Sequence, residues 1–209
     1  MEIEIYADVV CPWCWIGKRR LEQALESYDG DVTVTYRPFQ LDPTPVTEPR
    51  PLVDALADKF GGRERAEAMA AQVTQVAAGV GLEMRFDRAV QVNTFEAHRL
   101  VRFAAERGRS GEVVEALYRA HFSDGVDVGS RDALVALAVS VGLDETETRE
   151  HLESNLGRRE VAADLTAAHQ LGVSSVPTFV LAGRYAVTGA QEPETLLAAL
   201  REVDRREVS

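Results

Sequence analysis

A chain of 209 residues with 45% hydrophobic side chains is long enough to bury a substantial core, and its net charge of −11 opposes association with nucleic acid or anionic lipid. No apolar run reaches membrane length, and the opening residues, with Glu2, Glu4 and Asp8 among them, lack the basic start and apolar stretch of a secretory signal. The expectation is a cytoplasmic protein with neither nucleic acid nor membrane among its partners, in which a close cysteine pair is reactive rather than structural.

In chain order, Met1-Glu2-Ile3-Glu4-Ile5-Tyr6 alternates apolar and polar residues as a strand does. The two cysteines of the chain follow at once, three apart, in Cys11-Pro12-Trp13-Cys14. From Pro12 onward Cys14, Leu21, Leu25 and Tyr28 recur at helical spacing, and proline suits a first helical turn, where its missing N–H is not needed. Cys11 then lies near the N-cap and Cys14 about one turn later on the same face, so the sulfurs are able to close a small disulfide ring. The positive end of the helix dipole favours a thiolate at Cys11, which makes Cys11 the nucleophile and Cys14 the resolving cysteine. A structural zinc site needs about four protein ligands, and the chain has neither a second cysteine pair nor a His-x-x-x-His spacing among His98, His121, His151 and His169. A structural disulfide closing so short a loop would remove little entropy from the unfolded chain. The redox reading remains, with no metal expected.

Val32-Thr33-Val34-Thr35-Tyr36 is a second strand, stopped by Pro38, and completes a β-α-β unit. Five prolines between Pro38 and Pro51 then rule out regular helix or central strand. From Leu52 to about Gly172 the pattern is almost entirely helical, punctuated by Gly61-Gly62, Gly79, Gly108, Gly129 and Gly142. Asn93-Thr94-Phe95-Glu96 and Asp144-Glu145-Thr146-Glu147 carry the spacing of capping boxes. After Gly172 a hairpin is predicted from Thr178-Phe179-Val180-Leu181 through Ala182-Gly183-Arg184 to Tyr185-Ala186-Val187, and Pro193 opens a closing helix with Leu196, Leu197, Leu200 and Val203 on one face. The order β-α-β, helical insert, β-β-α is that of a divided α/β domain, expected over 1–45 and 157–209 with the helical insertion at 46–156.

This order of elements resembles the thioredoxin superfamily, and in particular its DsbA-like branch, in which a helical domain interrupts the thioredoxin fold. Asp8-Val9-Val10-Cys11-Pro12-Trp13-Cys14, Arg37-Pro38-Phe39-Gln40-Leu41, Asn93-Thr94 with His98, Val176-Pro177-Thr178-Phe179 and Gly189-Ala190-Gln191 resemble the FrnE-type oxidoreductases of that branch, relatives of the 2-hydroxychromene-2-carboxylate isomerases and kappa-class glutathione transferases. The resemblance implies a cis bond between Val176 and Pro177 that faces the cysteines and offers the Val176 backbone to an extended substrate. It also implies a place for the γ-glutamyl end of glutathione near Gly189, Ala190 and Gln191, as redox partner or co-substrate, with no tightly bound cofactor.

Trp13 is either an exposed lid that contacts substrate or a ring packed on the neighbouring loop. Gln40 reaches the site only if the proline-rich loop folds back over it, and Phe39 is core. Asp8 either assists proton transfer at the cysteines or serves as a hydrogen-bonding acid. Lys18 reads as solvated, Asn93 as a helix cap, and His98 as a satisfied core histidine or an interdomain group near the site.

The resulting expectation is a thiol-disulfide oxidoreductase acting on protein or small-molecule substrates through a mixed disulfide. A glutathione-dependent isomerase or transferase is the first alternative, although the relatives of that kind typically carry serine where Cys11 stands. A chaperone-like binding module is the second.

Overall fold

The structure, a computed structural model, describes residues 1–207. The alternation of the first residues makes β1 (Glu2–Ala7), which buries Ile3 and Ile5 in the core. Helix α1 (Pro12–Leu25) returns the chain so that β2 (Thr33–Pro38) pairs parallel to β1, with Ile3 opposite Val34 and Ile5 opposite Tyr36. The proline-rich run leads to α2 (Leu52–Phe60) and α3 (Arg63–Gly79), followed by α4 (Phe95–Ala105), α5 (Ser110–Arg119), a π-helical turn at Ala120–Asp124, α6 (Arg131–Ser140), α7 (Glu145–Glu153) and α8 (Arg158–Gln170). Strand β3 (Thr178–Leu181) then pairs antiparallel to β1 on the side away from β2, and β4 (Tyr185–Thr188) pairs antiparallel to β3. The mixed sheet has the order β2-β1-β3-β4. Its last turn places both Ala182 and Gly183 at positive φ, 50° and 64°, a conformation that glycine adopts at little cost. The closing helix α9 (Pro193–Glu207) buries Leu196, Leu200 and Val203 and packs along α1. This is a DsbA-like thioredoxin fold with a helical insertion. Among the described residues no helix is long and apolar enough to cross a membrane.

The helical stretch departs from its sequence pattern between residues 80 and 94, which form no helix. Leu82, Met84 and Phe86 are buried at every second position, the period of extended chain, and Pro51 and Val90 form an isolated bridge supported by Gln91 N–H to Arg50 O and Leu52 N–H to Ala89 O, both 2.8 Å. The two predicted capping boxes also part company. The Asp144 carboxylate accepts from Glu147 N–H at 2.9 Å, as an N-cap should, while the Glu147 side chain receives Arg107. At the start of α4 the N-cap is Thr94, without a side-chain cap bond, and Glu96 turns instead to Arg99, Arg158 and Arg131. Three guanidinium groups outcompete one backbone N–H for that carboxylate.

Candidate active site

The sequence Cys-Pro-Trp-Cys sets the geometry locally. Cys11 is the N-cap of α1 with extended backbone, φ −93° and ψ 112°, and Pro12 takes the first helical position. Cys11 N–H donates to Asp8 O and Cys14 N–H to Cys11 O, each at 3.0 Å, which ties the turn into the helix. Both thiols are free, Cys11 with 4% and Cys14 with 1% of its surface exposed. Opposite them the Val176–Pro177 peptide bond is cis, and Cys11 Sγ lies 3.7 Å from Val176 O. Burial pushes the Cys14 thiol well above its ordinary pKa, and the hydrogen bond and charge at Cys11 push it further. Cys14 is therefore held protonated in the reduced protein.

A buried polar cluster lies beneath the cysteines. Asp8 Oδ2 accepts from Leu41 N–H at 2.7 Å and thereby ties the proline-rich loop to the cysteine turn, while Asp8 Oδ1 has no hydrogen-bond partner among the described residues. His98 donates from Nε2 to Phe39 O at 3.0 Å and places the same nitrogen 3.5 Å from Asp8 Oδ1. His121, carried by the π-helical turn, is fully buried, with neither ring nitrogen partnered among the described residues, and burial lowers its pKa to about 4 against the opposing pull of the Asp8 charge. Tyr118 is raised well above the usual tyrosine range by burial and then by Cys14 and Cys11.

The other expected residues fall as follows. Trp13 is 37% exposed, so its ring is not buried against its neighbours. Val176 is half-buried and Pro177 buried. Gly189 N–H donates to Pro177 O at 2.7 Å, which brings the turn of Gly189 and Ala190 against the cis-proline, whereas Gln191 is exposed and its amide donates to Thr188 O. The Gln40 amide is spent on Thr94 Oγ1 at 3.2 Å and Asn93 Oδ1 at 3.4 Å, and Asn93 in turn donates to Pro43 O and Thr44 O. These bonds hold the proline-rich loop as one wall of a cavity of about 460 Å³, lined by Val10, Leu41, Leu52, Leu56 and Val90, that opens beside the cysteine turn.

Lys18 is not solvated. It is 7% exposed and bonds Glu22 Oε1 at 2.5 Å and Glu115 Oε2 at 2.7 Å. Glu115 also accepts from the Trp15 indole at 3.2 Å and from Arg19 at 2.9 Å, and Trp15 stacks on Tyr118 and Phe122 with ring centroids 6.0 and 6.1 Å apart. The helical insertion thus grips α1 immediately after Cys14. Only the aromatic doublet of Trp13 and Trp15 around Cys14 hints at this in the sequence; Glu115 carries no local signal. Among the described residues no His, Cys, Asp and Glu cluster is arranged to hold a metal ion.

Residues 2–201 match the family model of the DSBA-like thioredoxin domain. The crystal structure of a probable DsbA oxidoreductase from Streptomyces coelicolor is 39% identical and superposes with a TM-score of 0.91 over 97% of this chain and 89% of that one. The fold is shared more distantly with a 2-hydroxychromene-2-carboxylate isomerase, at 16% identity and a TM-score of 0.73 over 100% of this chain and 98% of that one. It is shared too with the cytosolic disulfide reductase DsbM from Pseudomonas aeruginosa, solved with GSH, at 20% identity and a TM-score of 0.64 over 98% of this chain and 100% of that one. With a family match across nearly its whole length, the chain belongs to the DSBA-like thioredoxin domain family.

Proposed function

We propose that this protein is a thiol-disulfide oxidoreductase of the FrnE type that exchanges disulfides through Cys11 and Cys14 in a cytoplasm. The observation that carries this reading is the pairing of two free thiols of unlike surroundings on one helical turn. Cys11 sits at the helix start against the Val176 carbonyl, and Cys14 lies buried one turn deeper with a raised pKa. In the reducing sense the Cys11 thiolate attacks a substrate disulfide, forming a Cys11–substrate bond while the first substrate sulfur leaves and takes up a proton. Cys14 then gives its proton to the Asp8 carboxylate and attacks Cys11 Sγ, the second substrate sulfur leaves, and two electrons have passed to the substrate. The oxidised pair runs the same steps backward on a substrate dithiol. An extended substrate pairs with the Val176 backbone beside Pro177, Trp13 covers the reacting sulfurs, and the cavity under Leu41 receives groups flanking them. Glutathione is the proposed redox partner, with its γ-glutamyl end at Gly189, Ala190 and Gln191; the DsbM structure with GSH supports that choice.

The fold shared with 2-hydroxychromene-2-carboxylate isomerase favours one rival, a glutathione-dependent isomerase with the cysteines as bystanders. Equilibration with defined ratios of reduced and oxidised glutathione, followed by trapping of free thiols, separates the two. A reversible Cys11–Cys14 disulfide supports exchange, with a potential near ~−120 mV marking an oxidant and one near ~−270 mV a reductant. Failure to form any reversible disulfide overturns the reading in favour of the isomerase.

A further inference from the structure

A helix interior is a costlier place for glycine than for alanine, yet Gly17 sits inside α1 one turn after Cys14 and is buried. Its surroundings give the reason. A Cβ on Gly17 would lie 2.8 Å from Pro177 Cγ, 3.2 Å from Phe179 Cζ and 3.5 Å from the Ala190 Cα. The helix is therefore seated directly on the cis-proline, on the middle of the sheet and on the loop after β4. One turn further along the same face, Arg20 reaches that loop as well, donating to Ala190 O and pairing with Glu192 at 2.6 Å. The loop is tied back to the proline through Gly189 N–H and Pro177 O.

We propose that Gly17, seconded by Arg20, is a positioning residue of the exchange site, fixing how far Cys11 stands from the Val176 backbone. The inference rests on the proposed exchange chemistry and adds to it what sets the geometry. Apolar carbons pack at about 3.5 to 4.0 Å, so an added methyl at 2.8 Å forces something to yield by roughly 0.7 Å or more. Phe179 is fully buried and paired in register with Ile5, whereas Pro177 is preceded by the exposed Ser174 and Ser175. The segment before Pro177 is the part that gives. A shift of that size on a Cys11 Sγ to Val176 O distance of 3.7 Å breaks the contact. Two consequences follow. A substrate bonded to Cys11 no longer aligns with the Val176 backbone, and the reduced form loses a thiol-to-carbonyl contact that the disulfide never had.

The test uses the full chain with Gly17→Ala, Arg20→Lys as a milder second variant, and two substrates, a short peptide disulfide and hydroxyethyl disulfide, which has no backbone to pair. The expected result is a KM for the peptide raised about tenfold, a peptide-to-hydroxyethyl ratio of kcat/KM that falls with it, and a glutathione equilibrium shifted about threefold toward the disulfide. Arg20→Lys should move each in the same direction by less. Equal losses on both substrates that track the folded fraction, with the equilibrium unmoved, would overturn the proposal, because simple destabilisation does just that. If the unaltered protein exchanges neither substrate, the redox reading itself fails. A crystal structure of Gly17→Ala then decides the positioning claim, a lengthened Cys11–Val176 separation sustaining it and an unchanged one refuting it.

Discussion

Arg99 and Asp8 are both buried ionic groups, yet each guanidinium nitrogen of the first has a partner while the second keeps a carboxylate oxygen without one among the described residues. Arg99 leaves α4 to donate to the carbonyls of His151, Leu152, Ser154 and Leu156 at 2.6 to 3.1 Å, and also pairs with Glu96. Those carbonyls close α7 and the turn toward α8, where a helix end leaves acceptors unpaired. Asp8 instead lies beside His98 and within the electrostatic reach of His121, and among the described residues Asp8 Oδ1 and both His121 nitrogens have no hydrogen-bond partner. Satisfied burial holds a joint; the cluster around Asp8 instead keeps polar atoms buried without a partner among the described residues. The contrast predicts that Arg99→Met is the most damaging single change outside the cysteines, at about 4 kcal/mol, because four carbonyls lose their donor together and Glu96 loses one of its three arginine partners. Urea unfolding should show it as a fall in midpoint at constant slope, and a loss below about 1 kcal/mol would refute the clamp.

The unsatisfied cluster is tested by pH. Burial lowers the His121 pKa from 6.5 to about 4, so the native state keeps this ring neutral while the unfolded chain protonates it. Between those values the unfolded state binds more protons, and stability therefore rises with pH. Acidification from pH 6.5 to pH 4 should cost ~3 kcal/mol from this residue alone. His121→Leu removes the titration and should flatten that limb of the stability profile. An unaltered limb would mean that other groups carry the acid response.

Next in size is Asp8→Asn, a change in rate rather than stability. An amide oxygen still accepts from Leu41 N–H, so the loop stays tied. What disappears is the proposed acceptor for the proton of Cys14, whose raised pKa makes deprotonation the harder half of the exchange. Collapse of a trapped mixed disulfide should slow by ~10- to 100-fold at neutral pH and recover as hydroxide takes over at alkaline pH. A rate unchanged across that range would leave Asp8 a purely structural tie.

Much of the sheet and the cysteine-bearing start of α1 were legible because local rules control them. Period-two alternation marks β1 and β2, and Pro12 with two cysteines at a helix start marks Cys11 and Cys14. Lys18 misled because a lysine four residues past a cysteine looks solvated until Glu115, 97 positions away, is folded against it. Residues 80–94 misled because an apolar run between helical segments continues a helical pattern on paper, while Leu82, Met84 and Phe86 in fact insert as extended chain. Gly17 and His121 carry no pattern at all. The meaning of Gly17 lies in what stands about 3 Å from it and that of His121 in its complete burial, and both depend on how the rest of the chain packs around them.

Glu115 belongs with Arg99 on the satisfied side and gives the smallest effect of the set. Burial alone would raise its pKa, but hydrogen bonding and charge from Lys18, the charge of Arg19 and the Trp15 indole outweigh it and hold the carboxylate below its usual value. A depressed carboxylate stabilises the fold above its unfolded pKa, and that contribution is lost as pH falls through the lower folded value. Glu115→Gln keeps an oxygen for Trp15 Nε1 yet removes the charge, leaving Lys18 with Glu22 as its remaining carboxylate. The pair network is partly open to water, so the cost at neutral pH should be about 1 kcal/mol, and it should fade in acid, as pH falls through the lowered pKa and the wild-type carboxylate is itself neutralised. Denaturation at neutral pH and in acid reads this directly. A cost that persists undiminished in acid would mean that Glu115 acts through shape against Trp15 rather than through charge, and the grip of the helical insertion on α1 would then rest on the aromatic stack of Trp15, Tyr118 and Phe122.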